Sequence, residues 1–247
     1  MRDETLDRLT SAFRIIQKRS GHRVASDDTL LAWAACRAMP GARRVLDLGS
    51  GKGAVAMLML SRLPGCRVLG IEALASNHDL ALRNAALNIL TDRWEPRLGD
   101  LREPSALSGE EPFDLVTGAP PFMPLGSGVL PRDPQRAAGR FELRGGVRDY
   151  AITAARHLAP GGFFVLLMDG LRKSRARAET ALAAAGFHVR LAVSVRPCPD
   201  RASTYAIFVS SREHGPLREE LLVMRDRLGG PFSAEYEAIR REMDVAG

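Results

Sequence analysis

"VLDLGSGKGA", residues 45–54, is the stretch on which the fold turns. Val45 to Leu48 read as a buried strand, and an apolar run that reads as helix starts at Ala54. Between them stand three glycines, Gly49, Gly51 and Gly53. Glycine tolerates positive φ and lets a ligand approach the backbone closely. The helix N-terminus beyond presents unpaired N–H groups to an anionic group. A phosphate loop requires Lys followed by Ser or Thr, and here Lys52 precedes Gly53. A dinucleotide turn requires G-x-G-x-x-G, and this one runs G-x-G-x-G. Asp47 stands two residues before the first glycine. Its charge repels a pyrophosphate and suits a ligand bearing an ammonium group.

Outward from this turn the pattern alternates. "CRVLGIE" is strand-like and "SNHDLALRNAALNIL" helical; "WEPRLGD" and "PFDLVTG" are strands. "RDYAITAARHL" is helical, Pro160-Gly161-Gly162 turns into the strand "FFVLLMD", and the helix "SRARAETALAAA" ends at Gly186. Short apolar strands separated by helices imply a mostly parallel sheet covered on both faces. "LAVSVRPCPDRASTYAIFV" joins two strands with no helix between them, so this pair is expected to be antiparallel. Before the core, residues 3–17 read as a helix with Leu6, Leu9, Phe13 and Ile16 on one face. A second helix is expected over about 27–38, capped by Ser26 or Asp27 and ended by Pro40-Gly41. Residues 216–247 read as two small helices. The expected organisation is an N-terminal helical cap region (1–40), a core (41–212) and a C-terminal helical extension of the same domain (213–247).

Two further acids follow strands. Glu72 ends the second core strand, 25 residues after Asp47, where a carboxylate can accept from both hydroxyls of a ribose. Asp100, in "LGDL", is placed to meet an adenine amino group. S-adenosylmethionine (SAM) has the ammonium, the ribose and the adenine that these acids suit, and no phosphate. Asp47, Gly49, Ser50, Gly51, Gly53, Glu72 and Asp100 are therefore the candidate cofactor-binding residues.

"DLVTGAPPFMPLG", residues 114–126, follows the fourth core strand with a stiff exit: alanine, two prolines and an aromatic. With "DLGSGKG", "GIE" and "GDL" before it, "GAPPF" completes a series in the order found in Rossmann-like class I SAM-dependent methyltransferases, which the chain resembles. Within that group D/N-P-P-Y/F marks enzymes that methylate planar nitrogen: adenine or guanine amino groups, or a glutamine amide. "IQKRSGHRVASDDTLLAWAA" and "GGPFSAEYEAIRREM" resemble the two ends of the family that methylates the adenine beside the anticodon of a valine tRNA. The resemblance covers most of the chain. It implies an α/β fold: a Rossmann-like, doubly wound, mostly parallel seven-stranded sheet with a reversed C-terminal hairpin. It also implies a SAM-dependent methyltransferase that holds its acceptor at Ala119, Pro120, Pro121 and Phe122, with a tRNA adenine-N6-like target first among the acceptors. A small-molecule acceptor, a protein side chain, or a non-catalytic SAM- or RNA-binding role are the alternatives.

Methyl transfer to an exocyclic amine demands positioning above all. In the family pattern an asparagine side chain and the following proline carbonyl accept the amine's two hydrogens, and the aromatic stacks on the base. Here Pro120, Pro121 and Phe122 fit, and Ala119 occupies the asparagine position. Losing one oriented polar partner of a transition state costs about 10²–10³ in rate. Four explanations stay open: a better nucleophile, a substitute such as Thr117 or Asp100, a differently seated loop, or binding without turnover.

Residues 123–144 are long for a connection inside a domain, as lids and binding loops are. Arg136, Arg140 and Arg144 recur at i, i+4 and i+8, one face if helical, able to meet phosphate or an acidic substrate. A solvated basic helix paired to Asp133 and Glu142 is the alternative, with Gln135 and Arg132 beside it. Arg23 either covers the site or makes a surface ion pair. Met57 and Met59 read as core filler. The formal charge of +6 is compatible with nucleic acid, yet only Lys18, Lys52 and Lys173 are lysines, so the arginine bias can equally reflect genome composition. No apolar run approaches the roughly 20 residues of a membrane span. Cys36, Cys66 and Cys198 form no disulfide framework, and neither they nor the five histidines have metal-ligand spacing. A cytoplasmic protein without a metal is expected; nothing in the sequence specifies its oligomeric state.

Overall fold

Strand β3 (Arg44–Leu48) has a parallel neighbour on each side, β4 (Arg67–Glu72) and β6 (Phe113–Gly118). A strand so placed is covered on both faces, which explains why "VLDL" is apolar at successive positions instead of alternate ones. The structure is a computed structural model that describes residues 3–245. The outermost two residues of the expected terminal regions lie outside it.

Around β3 the sheet runs β10-β8-β9-β7-β6-β3-β4-β5. The remaining strands are β5 (Trp94–Leu98), β7 (Leu158–Asp169), β8 (His188–Arg196), β9 (Tyr205–Ser211) and β10 (Arg218–Val223). Every pair is parallel except those of β9, which runs against both β7 and β8. The reversed hairpin therefore forms as expected, with Ala192 opposite Phe208. The segment around Pro160 belongs to β7, whose register against β6 shifts between Leu158 and Phe163. Two apolar layers flank the sheet. One gathers α1 (Ser26–Ala38), α2 (Ala54–Arg62) and α3 (Ala75–Leu87), with Met57 and Met59 wholly buried. The other gathers α5 (Val147–His157) and α6 (Arg172–Ala184). No helix among the described residues is long and apolar enough to cross a membrane.

The sheet has eight strands rather than the expected seven. Residues 216–230 do not form a helix: Arg218–Val223 adds as β10 to the open edge of β8, in parallel. "REELLV" has good helix formers, but an unpaired strand edge offers it a complete set of backbone partners, and tertiary context overrides propensity. One of the two expected C-terminal helices remains, α7 (Ala234–Glu242), capped by Ser233 Oγ accepting from Tyr236 N–H at 3.1 Å.

The first expected helix is also absent. Residues 4–18 form an antiparallel hairpin of β1 (Glu4–Arg8) and β2 (Arg14–Lys18). Its turn is held by Thr10 Oγ1, which accepts from Ala12 and Phe13 N–H. Side chains from α3 stand in for a further strand along β2. Asn84 Oδ1 accepts from Ile16 N–H at 2.7 Å and its amide donates to Ile16 C=O at 3.1 Å. Asn88 makes the same pair with Arg14, at 2.9 and 2.8 Å. Helix α1 begins at Ser26, with Ala25 in the cap position; Asp28 reaches back to accept from Ala25 N–H at 3.0 Å. Ser26 and Asp27 are thus not the caps expected of them.

Asn84 is fully buried and also donates to Lys52 C=O at 3.0 Å, linking hairpin, α3 and the glycine-rich turn. Asn84→Ala leaves three backbone groups unpaired and should cost about 2–4 kcal/mol. Denaturant unfolding measures the loss, and hydrogen exchange should rise first in residues 4–18; protection unchanged there would contradict the linkage.

Candidate active site

The turn between β3 and α2 is shaped by what surrounds it. Gly49, Gly51 and Gly53 all have positive φ. A Cβ on Gly49 would lie 2.1 Å from the Tyr150 hydroxyl, and one on Gly53 would lie 1.9 Å from the Trp94 ring. The positive φ at Gly51 accompanies an N–H that donates to Glu72 Oε2 at 2.8 Å; Glu72 Oε1 accepts from Leu74 N–H at 2.7 Å. Burial raises the Glu72 pKa, and these two backbone donors oppose the rise.

Asp47, beside the turn, is 2% exposed. Thr117 Oγ1 donates to its Oδ1 at 2.7 Å, whereas its Oδ2 is buried without a partner. Desolvation pushes Asp47 up to about 7, and the Asp28 and Glu72 charges add to it. Thr117 is fully buried and does not line the cavity that Asp47 lines, so it does not replace the asparagine missing at Ala119.

Asp47, Glu72, Ser50 and the glycine turn line a cavity of about 170 Å³ at the C-terminal edge of the sheet, where ligands of open α/β folds bind. Its other walls come from separate parts of the chain: His22, Asp27 and Asp28; Asn77; Gly99 and Leu101; Ala119–Phe122; Gln135 with Arg144; and Tyr150. Gln135 links two of these parts. It is buried in α4 (Pro134–Arg140), its Oε1 accepts from His22 N–H at 3.0 Å, and its amide donates to Asn77 Oδ1 at 2.5 Å. The segment between β2 and α1 thus forms a strap at His22, which Lys52 also holds by donating to its C=O at 3.0 Å. Burial lowers the Lys52 pKa.

The corner after β6 is rigid. Tyr150 from α5 packs against Gly118, where a Cβ would meet its ring at 2.7 Å. Phe122 lines the cavity and packs against both apolar layers, and its carbonyl accepts from Arg177 at 3.3 Å. Arg177 also bonds Glu142. The Ala119 and Pro120 carbonyls take no hydrogen bond from any described residue.

The fold thus brings Asp47, Gly49, Ser50, Gly51, Glu72, Ala119, Pro120, Pro121, Phe122 and Arg144 to one cavity. Gly53 lies in the same turn as the position before α2. Asp100 stands beyond the end of β5, but Arg102 engages its carboxylate at 2.6 Å and lowers its pKa; its neighbours Gly99 and Leu101 line the cavity instead. The arginine face does not form as one surface, because α4 ends at Arg140. Arg136 and Arg140 are exposed on α4, and Arg144 reaches the cavity from the chain after it. Arg23 pairs with Asp7 at 2.9 Å. Lys52, Asp27, Asp28 and Asn77 were not singled out from the sequence as site residues. "SDD" at a helix start and Lys within "GSGKG" were the signals, and they first acquire meaning when α1 is folded over the turn.

No family model matches the chain. It is 35% identical to a tRNA1(Val) (adenine(37)-N6)-methyltransferase of Aeromonas hydrophila over 158 residues, 63% of each protein. The alignment thus spans somewhat less than two thirds of that relative. The chain is 34% identical to the protein of that name from Porphyromonas gingivalis over 176 residues, 68% of each. Among solved structures, a predicted O-methyltransferase from Agrobacterium tumefaciens superposes with a TM-score of 0.66 at 21% identity, covering 89% of this chain and 98% of that one. This likeness shows the class I methyltransferase fold.

An acid whose folded pKa lies above its unfolded value destabilises the fold above the folded pKa. Stability falls as pH rises from about 4 to about 7 and is flat beyond, because the native state binds the extra proton. Asp47→Asn should therefore stabilise the ligand-free protein at pH 8, by at most about 4 kcal/mol, with the gain gone near pH 4. Thermal melts at several pH values measure this; an equal effect at every pH would mean that Asp47 does not titrate near 7.

Proposed function

The chain belongs to the family of tRNA1(Val) (adenine(37)-N6)-methyltransferases, and from that premise we propose that it transfers a methyl group from SAM to an adenine amino group in RNA. The observation that carries this reading is the buried, unpartnered Oδ2 of Asp47, which shares a cavity with the Ala119–Phe122 corner. A carboxylate oxygen in that state fits a cation. SAM supplies an activated sulfonium methyl together with an ammonium, a ribose and an adenine. Asp47 would take the ammonium. Glu72, holding Gly51 and Leu74 with one lone pair of each oxygen, keeps capacity for ribose hydroxyls. The adenine would lie along Gly99–Leu101, with the Asp100 carboxylate as its candidate polar contact.

At the acceptor end, the Pro120 carbonyl would accept one hydrogen of the amine and Phe122 would stack on the base. Arg144 at the rim, with Arg136 and Arg140 beyond it, would meet phosphate. Such a target places the protein's work in the cytoplasm. The second reading is a small-molecule acceptor, favoured by Ala119, which removes the polar side chain that the family pattern puts against the base.

Incubating bulk tRNA with the protein and SAM, then analysing nucleosides by mass spectrometry, should reveal new N6-methyladenosine; none above a mock reaction would falsify the RNA reading. Phe122→Ala should lower kcat/KM roughly 10- to 100-fold through lost stacking, with S-adenosylhomocysteine affinity kept. Because a protonated Asp47 must lose its proton to pair with an ammonium, that affinity should fall about tenfold per pH unit below about 7 and be flat above. Calorimetry at pH 5.5, 6.5 and 8 reads this slope, and Asp47→Asn should flatten it.

A further inference from the structure

We propose that Asp27 supplies the side-chain acceptor missing at Ala119: its carboxylate takes the hydrogen bond, and then the proton, of the acceptor amine. This rests on reading the site as an amine methyltransferase. Asp27 lines the same cavity as Ala119, Pro120, Pro121 and Phe122, and its Oδ1 is shielded from solvent with no hydrogen-bond partner. An unpaired buried carboxyl oxygen is costly unless a ligand completes it.

The topology places Asp27 over the corner. It sits in the first turn of α1, and α1 packs across β6, β7 and β9. Asp27 acts electrostatically on Lys52, in the turn after β3, and on Tyr205, at the start of β9. Tyr205 pairs with Asp169 at the end of β7, and β7 adjoins β6. In the sheet order β7 and β6 lie between β9 and β3, and Ala119 follows the end of β6. Asp47 stands beside the glycine-rich turn, and Thr117 lies outside the cavity lining.

The groups around Asp27 suit a proton acceptor. Burial opposes its ionisation, as does Asp28 on the same turn; the backbone N–H groups at the start of α1 and Lys52 favour it. Tyr205 of β9 and Tyr236 of α7 are within its electrostatic reach, and His22 and Asp47 line the same cavity. Together they leave Asp27 at about 7, near the optimum for accepting a proton at neutral pH. In the transfer, the nitrogen lone pair forms the N–C bond, the S–C pair leaves with sulfur, and the amine proton passes to Asp27 Oδ1 and on to water.

The test compares Asp27→Asn, Asp27→Ala and Asp27→Ala with Ala119→Asn in the full chain, using an anticodon stem-loop of tRNA1(Val) and saturating SAM. Wild-type kcat should rise with pH to a plateau with an apparent pKa near 7. Asp27→Ala should lose about 10²–10³ in kcat while S-adenosylhomocysteine affinity, by calorimetry, stays within about threefold. Asp27→Asn keeps an acceptor but cannot titrate, so it should retain more activity than Asp27→Ala and lose the acidic limb. Adding Ala119→Asn to Asp27→Ala should restore activity about tenfold or more. An unchanged kcat in Asp27→Ala overturns the proposal, and so does a large loss of S-adenosylhomocysteine affinity at undiminished kcat, which assigns Asp27 to the cofactor. A wild-type protein that methylates no RNA removes the functional reading itself, and this proposal with it.

Discussion

Four carboxylates, Asp27, Asp28, Asp47 and Glu72, line one small cavity at the sheet edge. Like charges in a desolvated site raise one another's pKa. Burial is the leading cause of the rise at Asp27, Asp47 and Glu72; the Asp28 charge adds to it at Asp27 and Asp47, and the Glu72 charge at Asp47. What makes the arrangement tolerable is local: Gly51 and Leu74 N–H for Glu72, the Thr117 hydroxyl for Asp47. The buried Lys52 does not neutralise them by contact, since its ammonium bonds the His22 carbonyl. The glycine-rich turn, the strap at residue 22 and the buried β3 all serve to hold acids where no isolated fold would want them. Inside the cavity acids predominate, while Arg144 reaches it from an exposed position and Arg136 and Arg140 are exposed on α4. A cationic ligand within and an anionic polymer outside complement that separation.

Most of the sheet was legible because β3, β4, β6 and β7 are buried on both faces, so their apolar runs report their environment directly. The reversed hairpin was legible for a different reason: no helix reads between β8 and β9, so the two strands had to be antiparallel neighbours. Residues 4–18 and 218–223 carry no such internal signal. Leu6 is 47% exposed, so the helical periodicity drawn through it was accidental. The hairpin exists because Asn84 and Asn88 complete the edge of β2, and β10 exists because β8 is open. Both causes lie far along the chain from the segments they shape.

The site divides in the same way. Asp47, Glu72 and the glycines occupy one strand–turn–helix unit and its neighbour, where spacing alone implies geometry. Arg136, Arg140 and Arg144 were grouped by a periodicity that the chain abandons after Arg140. Asp27, Asn77 and Gln135 converge from three elements that share no local motif. No window of sequence contains them together, and only the packing of α1, α3 and α4 over the turn makes them neighbours.

The departure at Ala119 looks different once the convergence is considered. In this molecule, groups that a local motif lacks are repeatedly delivered from elsewhere: asparagine side chains in place of a strand, Arg177 on the Phe122 carbonyl, Tyr150 beneath Gly118. The backbone of the corner is held by these distant contacts and not by residue 119 itself. A methyl side chain there removes one polar group without loosening the wall, and it leaves the space in front of it open to a group from another element. The physical requirement at the acceptor nitrogen is an oriented lone pair in a dry site, and that requirement does not specify which strand or helix provides it. A corner of fixed shape facing an unpaired carboxyl oxygen meets it in principle as well as a corner that carries its own amide.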